Sequence, residues 1–144
     1  MITKKEKKEL TMPNLDFNFN NGGSQFKPRR DCVVRAISIA TKQDYMEVLK
    51  HFTILMDGPA YRGVPRKIYD LYLKNLGWVW TPTMFIGSGC KVHMNKDELP
   101  KGTLIVKTSR HLTCVIDHVI NDTYDPSRDG NRCVYGYWRS NEKN

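Results

Sequence analysis

Cys32 stands in the stretch "RRDCVVRAIS", Arg29 to Ser38, directly after an aspartate and at the head of an apolar-periodic segment. A cysteine in the first turn of a helix meets unpaired backbone N–H groups and the positive end of the helix dipole. Both favour the thiolate. The thiolate is the nucleophilic form, and the same N–H groups, the Cys32 backbone among them, can hold an oxyanion once a carbonyl is attacked. A nucleophile of this kind needs a base. Of the four histidines, His51 falls inside an apolar-periodic segment, His93 in the ill-defined "CKVH", and His118 at a hairpin tip. His111 opens the strand "HLTCVID" after the polar "TSR". That places its imidazole at the rim of a sheet, held by the strand yet reachable from a cleft, and makes it the best base.

The base in turn needs an acceptor that fixes its tautomer. "NDTYD" supplies two, Asp122 and Asp125. A two-residue turn at Asp117–His118 sets His111 opposite Tyr124 and puts Asp122 on the His111 face. A three-residue turn brings Asp125 opposite His111 instead. The residues alone leave both open. Arg30 or Arg35 could add positive charge near the thiol, and Arg35 equally suits a structural ion pair.

The elements that must position these groups follow from periodicity. Asp31 suits an N-cap, so a helix is expected from Cys32, with Val33, Ala36, Ile37 and Ala40 on one apolar face. A second is expected from about Asp44, with Tyr45, Val48, Leu49, Phe52 and Met56 inward and Gly58 at its end. A third begins near Pro65, its face made of Ile68, Leu71, Tyr72 and Leu76, and Gly77 closes it. The period then shifts to two. "WVWTPTMFI", "TLIVKT", "HLTCVID", "VINDTYD" and "RCVYGYW" read as strands, with "VIDHVI" a tight hairpin. Residues 14–30, rich in Asn and Gly, read as an extended loop pinned by Phe17, Phe19 and Phe26. Helices first and an antiparallel sheet second predict a single α+β domain over residues 14–144, preceded by a flexible basic tail over 1–13.

The order of a helix-start Cys, a strand-start His and a polar residue on the next strand resembles the papain-like cysteine peptidase superfamily, including its double-glycine peptidases. "DTY" at 122–124 is similar to the Asn-Ser-Trp tripeptide of papain, whose Asn orients the His and whose Trp shields that contact. The resemblance thus gives the orienting role to Asp122 and the shielding role to Tyr124. "DP" at 125–126 resembles the Asp-Pro of the double-glycine peptidases and would give the orienting role to Asp125; Asp122 ranks first. "DCVVRAISIAT", "HLTCVIDHVINDTYD" and "CVYGYW" together resemble small proteins encoded by tailed phages. The likeness spans roughly residues 25–138. Papain carries an oxyanion-hole Gln six residues before its Cys. That position here is Phe26, and the neighbouring Gln25 becomes the candidate. Papain's Gly-Ser-Cys-Trp context is absent. The resemblance implies a papain-like domain with the site between helices and sheet, and a Cys32–His111–Asp122 hydrolase acting on peptide or isopeptide bonds. It implies no cofactor. The lack of an apolar stretch after the N-terminal lysines makes a cytoplasmic setting the expectation, the host's if phage-encoded. The same three residue types also serve acyl transfer.

Composition bounds the alternatives. The net charge of +8 suits an acidic protein or peptide partner, or nucleic acid. Basic residues are dispersed outside "KKEKK", and no aromatic–basic stripe appears, so nucleic acid is the less favoured partner. A non-enzymatic binding module with a basic surface is the alternative to an enzyme. No apolar run is long enough to span a membrane, and no apolar stretch follows the N-terminal lysines, so neither a membrane protein nor a secretory leader is expected. The four scattered cysteines are expected as free thiols, with Cys114 and Cys133 as packing residues. Cys90 with His93, and Cys114 with His118, have zinc-like spacings of low specificity, and no metal is expected.

Overall fold

The computed structural model describes residues 13–27 and 29–140. Strand β1 (Asp16–Phe19) comes first. Helices α1 (Cys32–Thr41) and α2 (Tyr45–Met56), a 3-10 turn (Ala60–Arg62) and helix α3 (Arg66–Asn75) follow. Then come β2 (Trp78–Pro82), β3 (Thr103–Thr108), β4 (His111–Ile116), β5 (Val119–Asp122) and β6 (Gly136–Ser140). All six strands form one sheet in the order β1-β5-β4-β3-β6-β2. The class is α+β. The expected N-terminal tail lies, Pro13 apart, outside the described residues, as do residues 141–144. Among the described residues no helix is long and apolar enough to cross a membrane.

The sheet is mixed rather than antiparallel throughout, because β1 pairs parallel with β5. The expected loop over residues 14–30 therefore contains a strand. Its phenylalanines are not its anchors: Phe17, Phe19 and Phe26 are all exposed. Leu15 is buried instead, and the side chains of Asn18 and Asn20 donate to Asn121 Oδ1 at 2.9 and 3.3 Å. A strand pinned by amides rather than by alternating apolar residues gives no hydrophobic period to detect.

Helix α1 buries Val34, Arg35 and Ser38 as well as the predicted face, since it lies between β4 and β3 on one side and α2 on the other. Helix α2 starts at Asp44, whose carboxylate accepts from Met46 N, and buries Tyr45, Val48 and Phe52. It stops at Asp57, which takes the left-handed cap conformation expected of Gly58. Helix α3 is rotated from its expected setting. Tyr69 and Leu73 are its buried residues, while Leu71 and Leu76 are exposed. Burying Tyr69 turns the helix toward the cleft described below.

Both faces of the sheet are covered. Trp78, Ile105, Leu112, Cys114 and Trp138 meet the helices. On the other face Leu104, Val106, Val115 and Ile120 lie under Leu15, Met94, Leu99 and Val134 from irregular segments. Two-sided burial explains why β3 and β4 read as unbroken apolar runs. The expectation of four free thiols is overturned. Cys90 and Cys133 form a disulfide with Cα atoms 5.8 Å apart, within ordinary bridging range. The antiparallel bridge between His93 and Cys133 brings the two segments together. Cys133 is thus a staple for the loop after β2 rather than a packing residue.

At the outer edge of the sheet the Trp80 ring lies over Gly136. A Cβ on Gly136 would come within 2.4 Å of ring atoms and 2.8 Å of the Thr81 carbonyl. Gly136→Ala is therefore expected to destabilise the fold by about 1–3 kcal/mol through overpacking. Chemical denaturation checks this, and unchanged stability would remove Trp80 from that position.

Candidate active site

Three elements deliver the site. Cys32 is the first residue of α1, His111 the first of β4 and Asp122 the last of β5. Asp117 and His118 both take positive φ, 47° and 67°, and close the β4–β5 hairpin as a two-residue turn. That turn fixes the register, with Cys114 paired to Asn121, and carries Asp122 to the His111 face. His111 Nε2 lies 2.7 Å from Asp122 Oδ2. With Nε2 engaged, Nδ1 is the ring nitrogen left for the Cys32 thiol, which is electrostatically coupled to the His111 side chain and shares its cleft. The imidazole thus connects a thiol to a carboxylate. The Tyr124 ring covers the imidazole, with centroids 5.2 Å apart.

Asp122 is held from three sides. Besides His111, the Thr113 hydroxyl donates to Oδ2 at 2.7 Å and the Thr123 backbone N–H donates to Oδ1 at 2.6 Å. Burial opposes its ionisation, but these bonds and the His111 charge hold its pKa below the ordinary value. Burial also opposes the imidazolium, yet bonds to Asp122 and Cys32 raise His111 to about 9. For Cys32, burial again works against the charged form. The His111 hydrogen bond and charge, with a backbone bond from Leu112, outweigh it and lower the thiol pKa. All three shifts favour a thiolate–imidazolium pair backed by a carboxylate.

Asp31 departs from its expected role. It occupies the N-cap position of α1 but makes no side-chain capping bond. Its carboxylate pairs with Arg35 one turn on and accepts from the Tyr45 hydroxyl at 2.5 Å. Arg35 also reaches Asp122 Oδ1 at 3.9 Å. The helix amides beside Cys32 are thereby left without a carboxylate across them. Arg35 is buried, so it serves the ion-pair role rather than adding free charge.

No family model, curated protein or solved structure matches the chain. The placement of each candidate therefore rests on its own geometry. Asp125 is exposed, and its Oδ1 accepts from Ser127 N at 2.9 Å in a local turn. Gln25 is exposed and is not among the residues lining the cleft over Cys32, so the structure does not bring it to the thiol. Arg30 does line that cleft. The zinc-like pairs are otherwise engaged: Cys90 in its disulfide, His93 with Glu98 at 3.1 Å, and His118 with the Leu99 carbonyl at 2.7 Å. Cys114 is fully buried, which raises its thiol pKa far above the ordinary value. His51 Nδ1 contacts the Tyr72 hydroxyl at 2.9 Å, away from the site. The sequence reading missed Thr113 and the Asp31–Tyr45 contact. Thr113 had a signal, since it shares the His111 face and the same turn sets it opposite Asp122.

Two outcomes follow. His111 is raised above its unfolded value near 6.5, so its contribution to stability is complete below that pH and is lost as pH rises through about 9. Asp122 is lowered, so its contribution is present above about pH 4 and lost on acidification. Asp122→Asn should cost most stability between these limits, from about pH 4 to about pH 6.5, and progressively less toward pH 10. Urea melts of both proteins across pH check it; a pH-independent difference would contradict the coupling. Arg35→Met leaves the buried Asp31 carboxylate with only the more distant Arg29, and Asp122 with His111 alone, and should cost about 3–5 kcal/mol. Adding Asp31→Asn should restore part of that loss if the pairing is as described.

Proposed function

We propose that the protein is a cysteine-dependent hydrolase of acyl bonds, peptide or isopeptide in type, on a papain-like scaffold. The observation that carries the reading is the single imidazole joined to the helix-start thiol on one side and to a buried carboxylate on the other. A cleft of about 700 Å³ opens over Cys32 and His111, with Val64, Tyr69 and Tyr124 in its lining, so a substrate carbonyl has a route to the sulfur.

The groups act in order. The Cys32 thiolate attacks the carbonyl carbon; a C–S bond forms and the π pair moves onto oxygen. The amides at the start of α1 face an oxyanion at the positive end of the helix dipole. On collapse the C–N bond breaks and the His111 imidazolium gives its proton to the departing amine. Water then attacks the thioester and yields a proton to neutral His111. The C–S bond breaks and the thiolate–imidazolium pair returns. Asp122 keeps the ring in the tautomer and orientation that both transfers need. The positive lining of the cleft favours a second reading, a binding module without turnover.

Alkylation separates the two. At pH 6.5 an ordinary thiol is only about 1% ionised. Iodoacetamide should therefore modify Cys32 well ahead of Cys114, and His111→Ala should slow that modification by about tenfold or more. Cys32→Ala should leave stability within about 1 kcal/mol while abolishing turnover of a peptide or isopeptide test substrate. A Cys32 no more reactive than an ordinary thiol would sink the enzyme reading, as would Cys32→Ala losing stability and turnover in proportion.

A further inference from the structure

The Cys32 thiolate apart, the charged lining of the cleft has one sign. Besides the buried Arg35 and His111, Arg29, Arg30, Arg62, Arg66, Lys107 and Arg110 contribute to it, and it contains no Asp or Glu. Two of these cations have nearby carboxylates: Arg29 reaches Asp31 at 4.0 Å, and Arg66 reaches Asp70 at 3.4 Å. Among the described residues, Arg30, Arg62, Lys107 and Arg110 have no carboxylate partner. Lys107 is half-buried and donates to the Thr108 carbonyl, a neutral acceptor. Four cations without a carboxylate partner, of which only Lys107 is near the Cys32 thiolate, repel each other around one concavity. Such an arrangement is relieved by an anionic occupant.

Three of these cations also lie against aromatic rings. Arg29 stacks on Phe26 at 3.8 Å and on Tyr61 at 4.4 Å. Arg66 lies 4.8 Å over the Trp80 ring, and Arg62 5.8 Å from the Tyr61 centroid. Stacking fixes the planar guanidinium while its in-plane N–H groups remain able to donate, the geometry that suits carboxylates. Of the tyrosines that line the cleft, Tyr69 is buried and only Tyr124 is exposed, so no row of rings is offered to successive bases, which disfavours a single-stranded nucleic acid.

We infer that the substrate is an acidic peptide segment, with Asp or Glu side chains flanking the acyl bond presented to Cys32. The inference rests on the hydrolase reading for what is cleaved, but on the cleft alone for what is bound. Carboxylates near the bond would pair with Arg62 and Arg110 at the mouth and with Lys107 deeper in, bringing the carbonyl over the sulfur. Long-range attraction would also speed encounter and fade with salt.

The test measures binding without chemistry. Cys32→Ala protein is titrated with a fluorescein-labelled decapeptide of alternating Glu and Gly, and with its Gln–Gly isostere. An unlabelled single-stranded decanucleotide serves as competitor. The acidic peptide should bind at least about tenfold tighter at low salt, with the advantage shrinking as salt rises. Adding Arg62→Ala and Arg110→Ala should remove most of that ratio. Replacing Lys4, Lys5, Lys7 and Lys8 by Gln should keep it, which separates the cleft from the overall charge. Equal affinity for the two peptides overturns the inference, as does a ratio indifferent to Arg62 and Arg110. Displacement of the peptide by far less than an equivalent of oligonucleotide also overturns it, in favour of nucleic acid. Alkylation of Cys32 reads the nucleophile separately, so the two ideas can fail independently.

Discussion

One buried guanidinium ties the helical half of the molecule to the sheet. Arg35 pairs with Asp31 at the start of α1 and lies 3.9 Å from Asp122 at the end of β5. Both carboxylates and the guanidinium are almost fully buried. Removing such charges from water is expensive, and mutual attraction offsets it only when the remaining lone pairs and protons are satisfied. Here Tyr45 satisfies Asp31, and His111, Thr113 and the Thr123 amide satisfy Asp122, while the buried Arg35 Nε has no hydrogen-bond partner. The arrangement tolerates little displacement of α1 along β4. Because Cys32 is on α1 and His111 on β4, the ion-pair network sets the relation between thiol and imidazole.

The same network explains why the helix start stays open. A capping aspartate would place a negative charge across the first amides and compete with any oxyanion formed there. Arg35 and Tyr45 draw the Asp31 carboxylate away. Negative charge that would oppose thiolate formation is neutralised one turn deeper in the helix, leaving the dipole and His111 to act on Cys32. Structural and chemical demands are thus met by one set of contacts rather than by two.

The parts of the site legible in the sequence are those set by local rules. The Asp117–His118 turn fixes register, and register carries Asp122 to His111 and not to solvent. The start of α1 at Cys32 follows from an apolar period. What local rules did not reach depends on distant residues. Asp31 looks like a cap because nothing in "RRDC" reveals Tyr45 arriving from the next helix. Cys90 and Cys133 are separated by 43 residues and show no paired spacing. Strand β1 is held by asparagine side chains, which have no hydrophobic period. The setting of α3 differs from the expected one because the segment holds two overlapping apolar faces, Ile68, Leu71, Tyr72 and Leu76 against Tyr69 and Leu73, and packing on distant residues buries the second. The cationic lining comes from three separate stretches of chain, so the composition shows its charge but not its location.

Charge at the mouth and charge on sulfur are also linked. Burial lowers the Lys107 pKa, the Cys32 thiolate raises it, and Arg66 and Arg132 lower it. Coulombic coupling is mutual, so a thiolate that favours charged Lys107 is favoured by it in return. An acidic occupant would share that cation and weaken its support for the thiolate. Attack on the carbonyl then removes the sulfur's charge altogether. The cations around the cleft would then face only the bound acidic fragment, and would hold it more strongly in the thioester than before attack. Hydrolysis restores the thiolate as a competitor for Lys107 but also leaves a new carboxylate on the fragment. On the proposed mechanism, therefore, the positive lining has two effects with a common origin: it favours the thiolate while the cleft is empty, and it holds the acyl group once the sulfur is neutral.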